Sequence, residues 1–262
     1  MHPHAETLWR GPRWTLAILL AVLGMLGPFS IDTYLPAFSG IASSLNASPV
    51  HMQQTLSAYL FGFAFMNLFH GALADSFGRR PVILWGLMAF TLASLGCALA
   101  QNVTQLIVFR AMQGLSCGAG VVVSRAIVRD IFPPTQAQKV MSQITIFFGL
   151  APAIAPIMGG WLFVSLGWHS IFWLLTAIGL ALWAVNFKML PESLHASQRQ
   201  PFSIPHLMRG YWQLCTDPRF LLLALASGIP FNAMFLYVLS APAFLGEHLG
   251  LAPQQFFWFF VL

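Results

Sequence analysis

The sequence predicts an all-α integral membrane protein that crosses the bilayer several times, and three observations carry that prediction. Only 7% of the 262 residues are charged while 58% are hydrophobic, whereas roughly a quarter of a soluble domain is charged; so few charges cannot build a water-facing shell. The charges that are present bound uncharged intervals long enough to cross a hydrocarbon core of about 30 Å. Counted off in order, those intervals leave nearly every basic residue on one side of the membrane.

The first span lies between Arg13 and Asp32, 18 uncharged residues rich in Leu, Ala, Val, Ile and Phe. Arg10 and Arg13 followed by LAILLAVLGMLG have the layout of a secretory leader, but the apolar run continues to Ile31 and further spans follow it. The next uncharged interval, Thr33 to Ala74, is too long for one crossing and contains the polar string SSLNASPVHMQQ, so the second span is expected over about Met52 to Leu73. A third follows from about Pro81 to Ala100, and a fourth from about Val103 to Ser124 after a short turn at Gln101 and Asn102. The fifth and sixth share the uncharged stretch from Val140 to Phe187, broken at Gly167, Trp168 and His169. A polar segment from Lys188 to Arg219 reads as a linker, and a seventh span covers about Phe220 to Phe244. The final QQFFWFFVL is too short to cross a bilayer, so an eighth span is expected to be cut short. The organisation is thus a tail (1–13), a six-span unit (14–187), a linker (188–219) and the start of a second unit (220–262).

With the N-terminus in the cytoplasm, Arg10, Arg13, Arg79, Arg80, Arg125, Arg129, Lys139, Lys188, Arg199, Arg209 and Arg219 all fall inside. The twelfth basic residue, Arg110, sits within the fourth span. This asymmetry is what the positive-inside rule predicts, and it argues against a seven-helix receptor with an outside N-terminus. It also explains the net charge of +5 without nucleic acid, since the basic residues form no dense run interleaved with aromatics. The three cysteines, Cys97, Cys117 and Cys215, lack metal-ligand or disulfide-framework spacing and read as packing residues. A membrane-embedded enzyme would need a cluster of nucleophile, base or metal ligands. The eight histidines are scattered, with no HExxH, so no enzyme, metal or cofactor is expected.

Two ionisable residues lie at membrane depth. Asp32 closes the first span in PFSIDTYLPAF; a carboxyl there is expensive to hold charged, which makes it a candidate proton carrier, the alternative being a boundary residue that caps the following loop. Arg110 must face a cavity, a counter-charge or backbone carbonyls rather than lipid, either as a functional group or as a structural anchor, and Asp32 is its obvious counter-charge. Gln113 lies three residues on, on the same helical face, and Gly114 and Gly118 have the spacing of a close helix contact.

The turn GALADSFGRRPVIL between the second and third spans collects Gly78 for backbone freedom, Pro81 at a helix start and an Asp75–Arg79 charge pair. It resembles the signature loop of the major facilitator superfamily, matched at Gly71, Leu73, Asp75, Gly78, Arg79, Arg80 and Leu84. LIVFRAMQGLSCGAG is similar to that family's fourth-helix motif, and GLAPAIAPIMGGWL to its antiporter motif, with Ala155 in place of the first glycine and Pro156, Gly159 and Gly160 retained. SIDTYLPA, SAYLFGFAFMNLFHGALADSFGRRP and GWHSIFW are similar to the bicyclomycin and chloramphenicol resistance (Bcr/CflA) branch of its drug:proton antiporters.

That resemblance implies a major facilitator fold, with a complete six-helix half, a seventh helix and the start of an eighth. It implies export of small amphipathic drugs across the bacterial inner membrane, driven by inward proton flow, by a protein monomeric when complete. Two halves would rock about a midplane site. Asp32 and Arg110 would couple protons; Tyr34, Tyr59, Asn67, Gln113, Asn232 and Tyr237 would line the cavity or serve as interhelical hydrogen-bonding residues; Asp75, Arg79 and Asp130 would form the cytoplasmic gate. The alternatives are a transporter of a metabolite such as a sugar or amino acid, and an inactive truncated remnant.

Overall fold

The computed structural model describes residues 12–241, 244 and 249–250, apart from the side chains at 13, 231, 234, 235, 237–239 and 241. Among them are nine α-helices and no strand: α1 (Arg13–Asp32), α2 (Phe38–Ser44), α3 (Pro49–Phe77), α4 (Arg79–Ala98), α5 (Val103–Ile131), α6 (Pro134–Leu166), α7 (His169–Met189), α8 (Ile204–Thr216) and α9 (Pro218–Ala241). Six candidate membrane spans begin with Trp14–Ser44, which joins α1 to α2, and continue with α3 to α7. The seventh apolar stretch is helical as α9, and the eighth lies outside the described residues.

Helix starts follow local chemistry. The Ser48 hydroxyl accepts from His51 N at 3.3 Å ahead of Pro49, and Asn102 Oδ1 accepts from Gln105 N at 2.9 Å, each satisfying an otherwise unpaired first-turn donor. Gly78 ends α3 at φ 103° and Gly167 ends α6 at φ 81°, conformations that an L side chain rarely adopts. Helices α3 and α5 are longer than the apolar intervals suggested, 29 residues each. Arg125, Arg129 and Asp130 are therefore helical, and only Phe132 and Pro133 separate α5 from α6. The reason is geometric: 29 residues measure about 43 Å, so the helices overrun a hydrocarbon core of about 30 Å, and charge marks the edge of the core rather than of the helix.

The bundle is sewn together at small residues. A Cβ on Gly62 would come within 2.6 Å of the Ala111 carbonyl oxygen and one on Gly114 would strike the Tyr59 backbone, so α3 and α5 cross nearly backbone to backbone. Helix α4 meets α5 at Gly86 beside Ala119, and α5 meets α1 at Gly120 beside Leu23. Leu16, Leu20 and Leu23 of α1, Leu56 of α3, Phe90 of α4, Val123 and Ile127 of α5, and Ile171 and Phe172 of α7 fill the buried centre. Large apolar residues such as Phe61, Trp85, Leu92, Trp161 and Leu180 point outward, as expected where lipid rather than water is the solvent.

Candidate functional site

Arg110 is the centre of a buried polar cluster. It sits two turns into α5 with no solvent exposure. One terminal nitrogen donates to Gln113 Oε1 at 2.8 Å and to the Ser30 carbonyl of α1 at 3.3 Å. The Gln113 amide in turn donates to Ser94 Oγ of α4 at 2.7 Å. The guanidinium carbon lies 4.6 Å from the Tyr34 ring centroid and 4.3 Å from that of Tyr59, two aromatic faces that stabilise a desolvated cation. Its Nε and remaining terminal nitrogen have no hydrogen-bond partner among the described residues.

The rings are themselves fixed. The Tyr34 hydroxyl is 2.7 Å from Thr55 Oγ1. The Tyr59 hydroxyl donates to the Gly27 carbonyl at 3.0 Å and lies 2.7 Å from Ser30 Oγ and 2.9 Å from Cys117 Sγ. Pro28 interrupts the backbone ladder of α1 at this level, where a proline removes one helical hydrogen bond and bends the helix.

Asp32, the last residue of α1, is 3% exposed. It is buried, not a water-exposed boundary residue, but no ion pair joins it to Arg110 among the described residues, whose ion pairs involve Arg79 and Arg199 instead. The expectation of a direct counter-charge is corrected: carbonyl and amide oxygens and two ring faces take its place. The antiporter segment reaches Asp32 from the other side. A Cβ on Gly159 of α6 would fall 2.8 Å from the Thr33 carbonyl carbon and 2.9 Å from its Cα, so α6 lies directly on the chain next to Asp32. Pro156 and Gly160 are buried in the same helix, with Ala151 and Ala155.

The six residues assigned to a cavity lie in different surroundings where they are described. Tyr34, Tyr59 and Gln113 are wholly buried around Arg110, enclosing the cation rather than facing open space. Asn67 turns its Oδ1 towards Gly118 of α5. Asn232 is exposed on α9, and the side chain of Tyr237 lies outside the described residues. A largely apolar cavity of about 410 Å³ opens between α3, α4 and α5, lined by His70, Phe77, Trp85, Met112 and Leu115 among others.

At the opposite end of the bundle, the signature turn forms a charge cluster. Arg79 pairs with Asp75 one turn back and donates through Nε to Asp130 Oδ2 of α5 at 3.1 Å. Three residues that the sequence did not mark complete it. Glu192 accepts from the backbone N–H of Arg79 at 2.9 Å and of Arg80 at 3.3 Å, seating a carboxylate on the N-terminus of α4. Ser193 donates to Asp130 Oδ2 at 2.9 Å, and Gln200 N donates to the Asp75 carbonyl at 3.1 Å. Arg80 reaches α7, donating to the Phe187 carbonyl at 2.6 Å. A side chain on Gly78 would meet Glu192 and Arg199, whereas one on Gly71 would meet only Val122 at 3.9 Å, so the first motif glycine is not a packing requirement. The string PES at 191–193 was the available signal: a proline after a helix and one of only two carboxylates in a basic linker.

A model of the major facilitator superfamily matches residues 11–262. The chain belongs to that superfamily. Among curated relatives it is 36% identical over 246 residues to a "Bicyclomycin resistance protein homolog" of Haemophilus influenzae, covering 94% of this chain and 62% of that protein. It is 38% identical to the "Uncharacterized MFS-type transporter YdgK" of Bacillus subtilis, covering 93% and 61%, and 36% identical to the "Multidrug resistance protein MdtL" of Escherichia coli, covering 67% and 45%. The chain therefore spans about three fifths of the length of the first two. In fold it is similar to a bacterial homologue of the lysosomal transporter Spinster, at a TM-score of 0.72, 15% identity, and coverage of 97% of this chain and 58% of that one. It is also similar to the human organic anion transporter MFSD10, at 0.66, 20%, 96% and 70%.

Proposed function

We propose that this chain carries the proton-coupling half of a drug:proton antiporter that exports small amphipathic compounds across the bacterial inner membrane by alternating access. The observation that carries the reading is the buried Arg110, held by neutral oxygens and aromatic faces with two donor groups uncommitted, in the same polar core of α1 and α5 that ends at the buried Asp32. An uncommitted buried cation attracts an anion strongly at low dielectric. Its preference for an ionised or a protonated Asp32 would therefore bias one transporter conformation over the other. Drug and proton would exchange by competing for that bias. The names of the bicyclomycin- and multidrug-resistance relatives support drugs rather than metabolites as cargo.

The remaining assignments follow from the same frame. Residues 14–187 form the first half and 188–219 the connection, with the chain from 220 starting the second half. Asp75, Arg79 and Asp130, with Gly71, Gly78 and Arg80 in the turn, act as the gate at the cytoplasmic end, and Pro156, Gly159 and Gly160 let α6 slide on α1. The N-terminus is cytoplasmic, on the evidence of eleven of twelve basic residues.

The test is ethidium efflux in everted membrane vesicles carrying the full-length protein. Asp32→Asn and Arg110→Ala are each expected to abolish efflux driven by a proton gradient at unchanged membrane abundance. Wild-type efflux in both variants would remove the coupling assignment.

A further inference from the structure

We infer that the cavity between α3, α4 and α5 is a second ligand site, for a phenol-class compound dissolved in the bilayer: a flat aromatic ring bearing one hydroxyl that bonds the His70 imidazole. Its volume, about 410 Å³, falls in the range of small-molecule sites, roughly 300–1,000 Å³. Met112 and Ser116 of α5 lie on its floor, Met66, His70 and Phe77 of α3 on one wall and Trp85 of α4 on the other. The gap stays open because the α4 wall is thin at Gly86 and Ala89. A Cβ on Gly86 would strike Ala119 at 2.7 Å and meet the Ser116 carbonyl oxygen at 3.1 Å, so α4 packs too closely on α5 to fill the space from that position. No residue of the Arg110 cluster lines the cavity.

Three features select the ligand. Phe77 and Trp85 stand with ring centroids 6.0 Å apart at 60°, both exposed, and offer faces and edges that favour an aromatic ring over a saturated chain. Met66 and Met112 add unbranched, polarisable side chains that adapt to an aromatic guest. The third feature is His70, only 3% exposed, whose Nδ1 is enclosed beside Gly118 with no hydrogen-bond partner among the described residues. An imidazole carries hydrogen-bonding capacity at both nitrogens. Ser116 turns its hydroxyl to the Met112 and Gln113 carbonyls of its own helix, at 3.0 and 2.9 Å, which leaves His70 as the polar group for a ligand.

Depth excludes water as the partner. His70 lies seven residues before the end of α3, about 10 Å along the axis. The helix overruns the hydrocarbon core by about 13 Å in all, shared between its two ends, so the imidazole sits within the hydrocarbon, where no water serves it. An acyl chain would fill the volume but leave the ring unpaired, which is costly for a buried polar group; a phenol fills it and supplies the missing bond. The mouth opens to lipid rather than to the rest of the chain. Met66, His70 and Phe77 recur on one face of α3. Leu68, whose carbonyl accepts from Tyr211 of the segment leading to α9, is two positions from both Met66 and His70 and therefore on the opposite face.

The test is photolabelling of the full-length protein in phosphatidylglycerol nanodiscs with para-hydroxybenzophenone and, separately, with benzophenone, which lacks the hydroxyl. Both insert into C–H bonds on illumination, and peptide mass spectrometry locates the adducts. Met66 and Met112 are expected to be labelled well above Met189, which is exposed outside the cavity. The hydroxylated probe should exceed benzophenone there by roughly fivefold, the worth of one hydrogen bond. That advantage is expected to vanish in His70→Phe. Ala89→Trp, at an exposed position on the lining, should fill the cavity and bring the labelling of both methionines down to that of Met189 without touching the buried core. Labelling of Met66 and Met112 that equals Met189 in the wild type, or that survives Ala89→Trp, would overturn the site. Equal labelling by the two probes in the wild type would overturn the phenol assignment. The readout is binding without transport, so it stands or falls apart from the coupling roles of Asp32 and Arg110.

Discussion

The guanidinium of Arg110 is retained in a membrane interior without a salt bridge to any described residue, and the distribution of its contacts explains how. Replacing it by lysine would keep the charge but lose the planar group that lies over Tyr34 and Tyr59 and bonds Gln113 and Ser30 at once. The glycines make the sharper residue-scale contrast. Gly114→Ala drives a methyl into the Tyr59 backbone, whereas Gly71→Ala adds one beside Val122 at 3.9 Å. Overpacking of a rigid contact costs about 1–3 kcal/mol, so Gly114→Ala is expected to lower the melting temperature of the detergent-solubilised protein clearly and Gly71→Ala hardly at all, as followed by size-exclusion chromatography after heating. Equal behaviour of the two would mean that the α3–α5 crossing is not tight. Arg110, Gln113 and Gly114 were legible in the sequence because each occupies a helical face at a readable spacing, whereas Gly62, Gly86 and Gly120 emerged only from the packing. The distant partners were not legible, because Ser30, Tyr34 and Tyr59 lie 80, 76 and 51 residues before Arg110 and Ser94 lies 19 before Gln113, and only packing brings them in.

Among the elements, α4 shows how a distant segment can define a helix start. The first turn of α4 has no side-chain cap of its own and no acidic residue; Glu192, more than a hundred positions later, supplies the carboxylate. Glu192→Ala is expected to cost about 0.5–2 kcal/mol, the worth of a lost helix cap, and to raise hydrogen–deuterium exchange at the backbone of residues 79–83. Arg199→Ala is expected to change little, because its pair with Glu192, at 3.8 Å and partly exposed, is of the kind worth about 0–1 kcal/mol. Comparable exchange in the two variants would place the stabilisation in the ion pair instead. Helix α8 is a different case: its amphipathic pattern was fully present in the sequence, yet a segment read for its polarity was taken as a plain linker. Mean polarity over some 30 residues conceals a 13-residue helix whose two faces cancel.

For the whole molecule, orientation and shape have separate origins. Insertion follows the basic residues flanking each span. A cytoplasm-dependent fluorescent reporter fused after Gln200 is expected to glow, and a periplasm-dependent phosphatase inserted after Gln101 to be active. The reverse pattern would invert the topology and move the signature turn outside. The six spans up to Met189 and their order, the break at Gly167 and the superfamily were determined by the sequence alone, because lipid demands long uncharged helices and tight turns need particular residues wherever they occur. Tertiary structure alone decided that Arg110 is held by rings and neutral oxygens rather than by Asp32. It also decided that the expected cavity residues Tyr34, Tyr59 and Gln113 enclose that cation, and that the linker closes the signature turn through Glu192. Those outcomes depend on side-chain distances between helices, which are set when small residues let the backbones approach and which spacing along one chain does not encode.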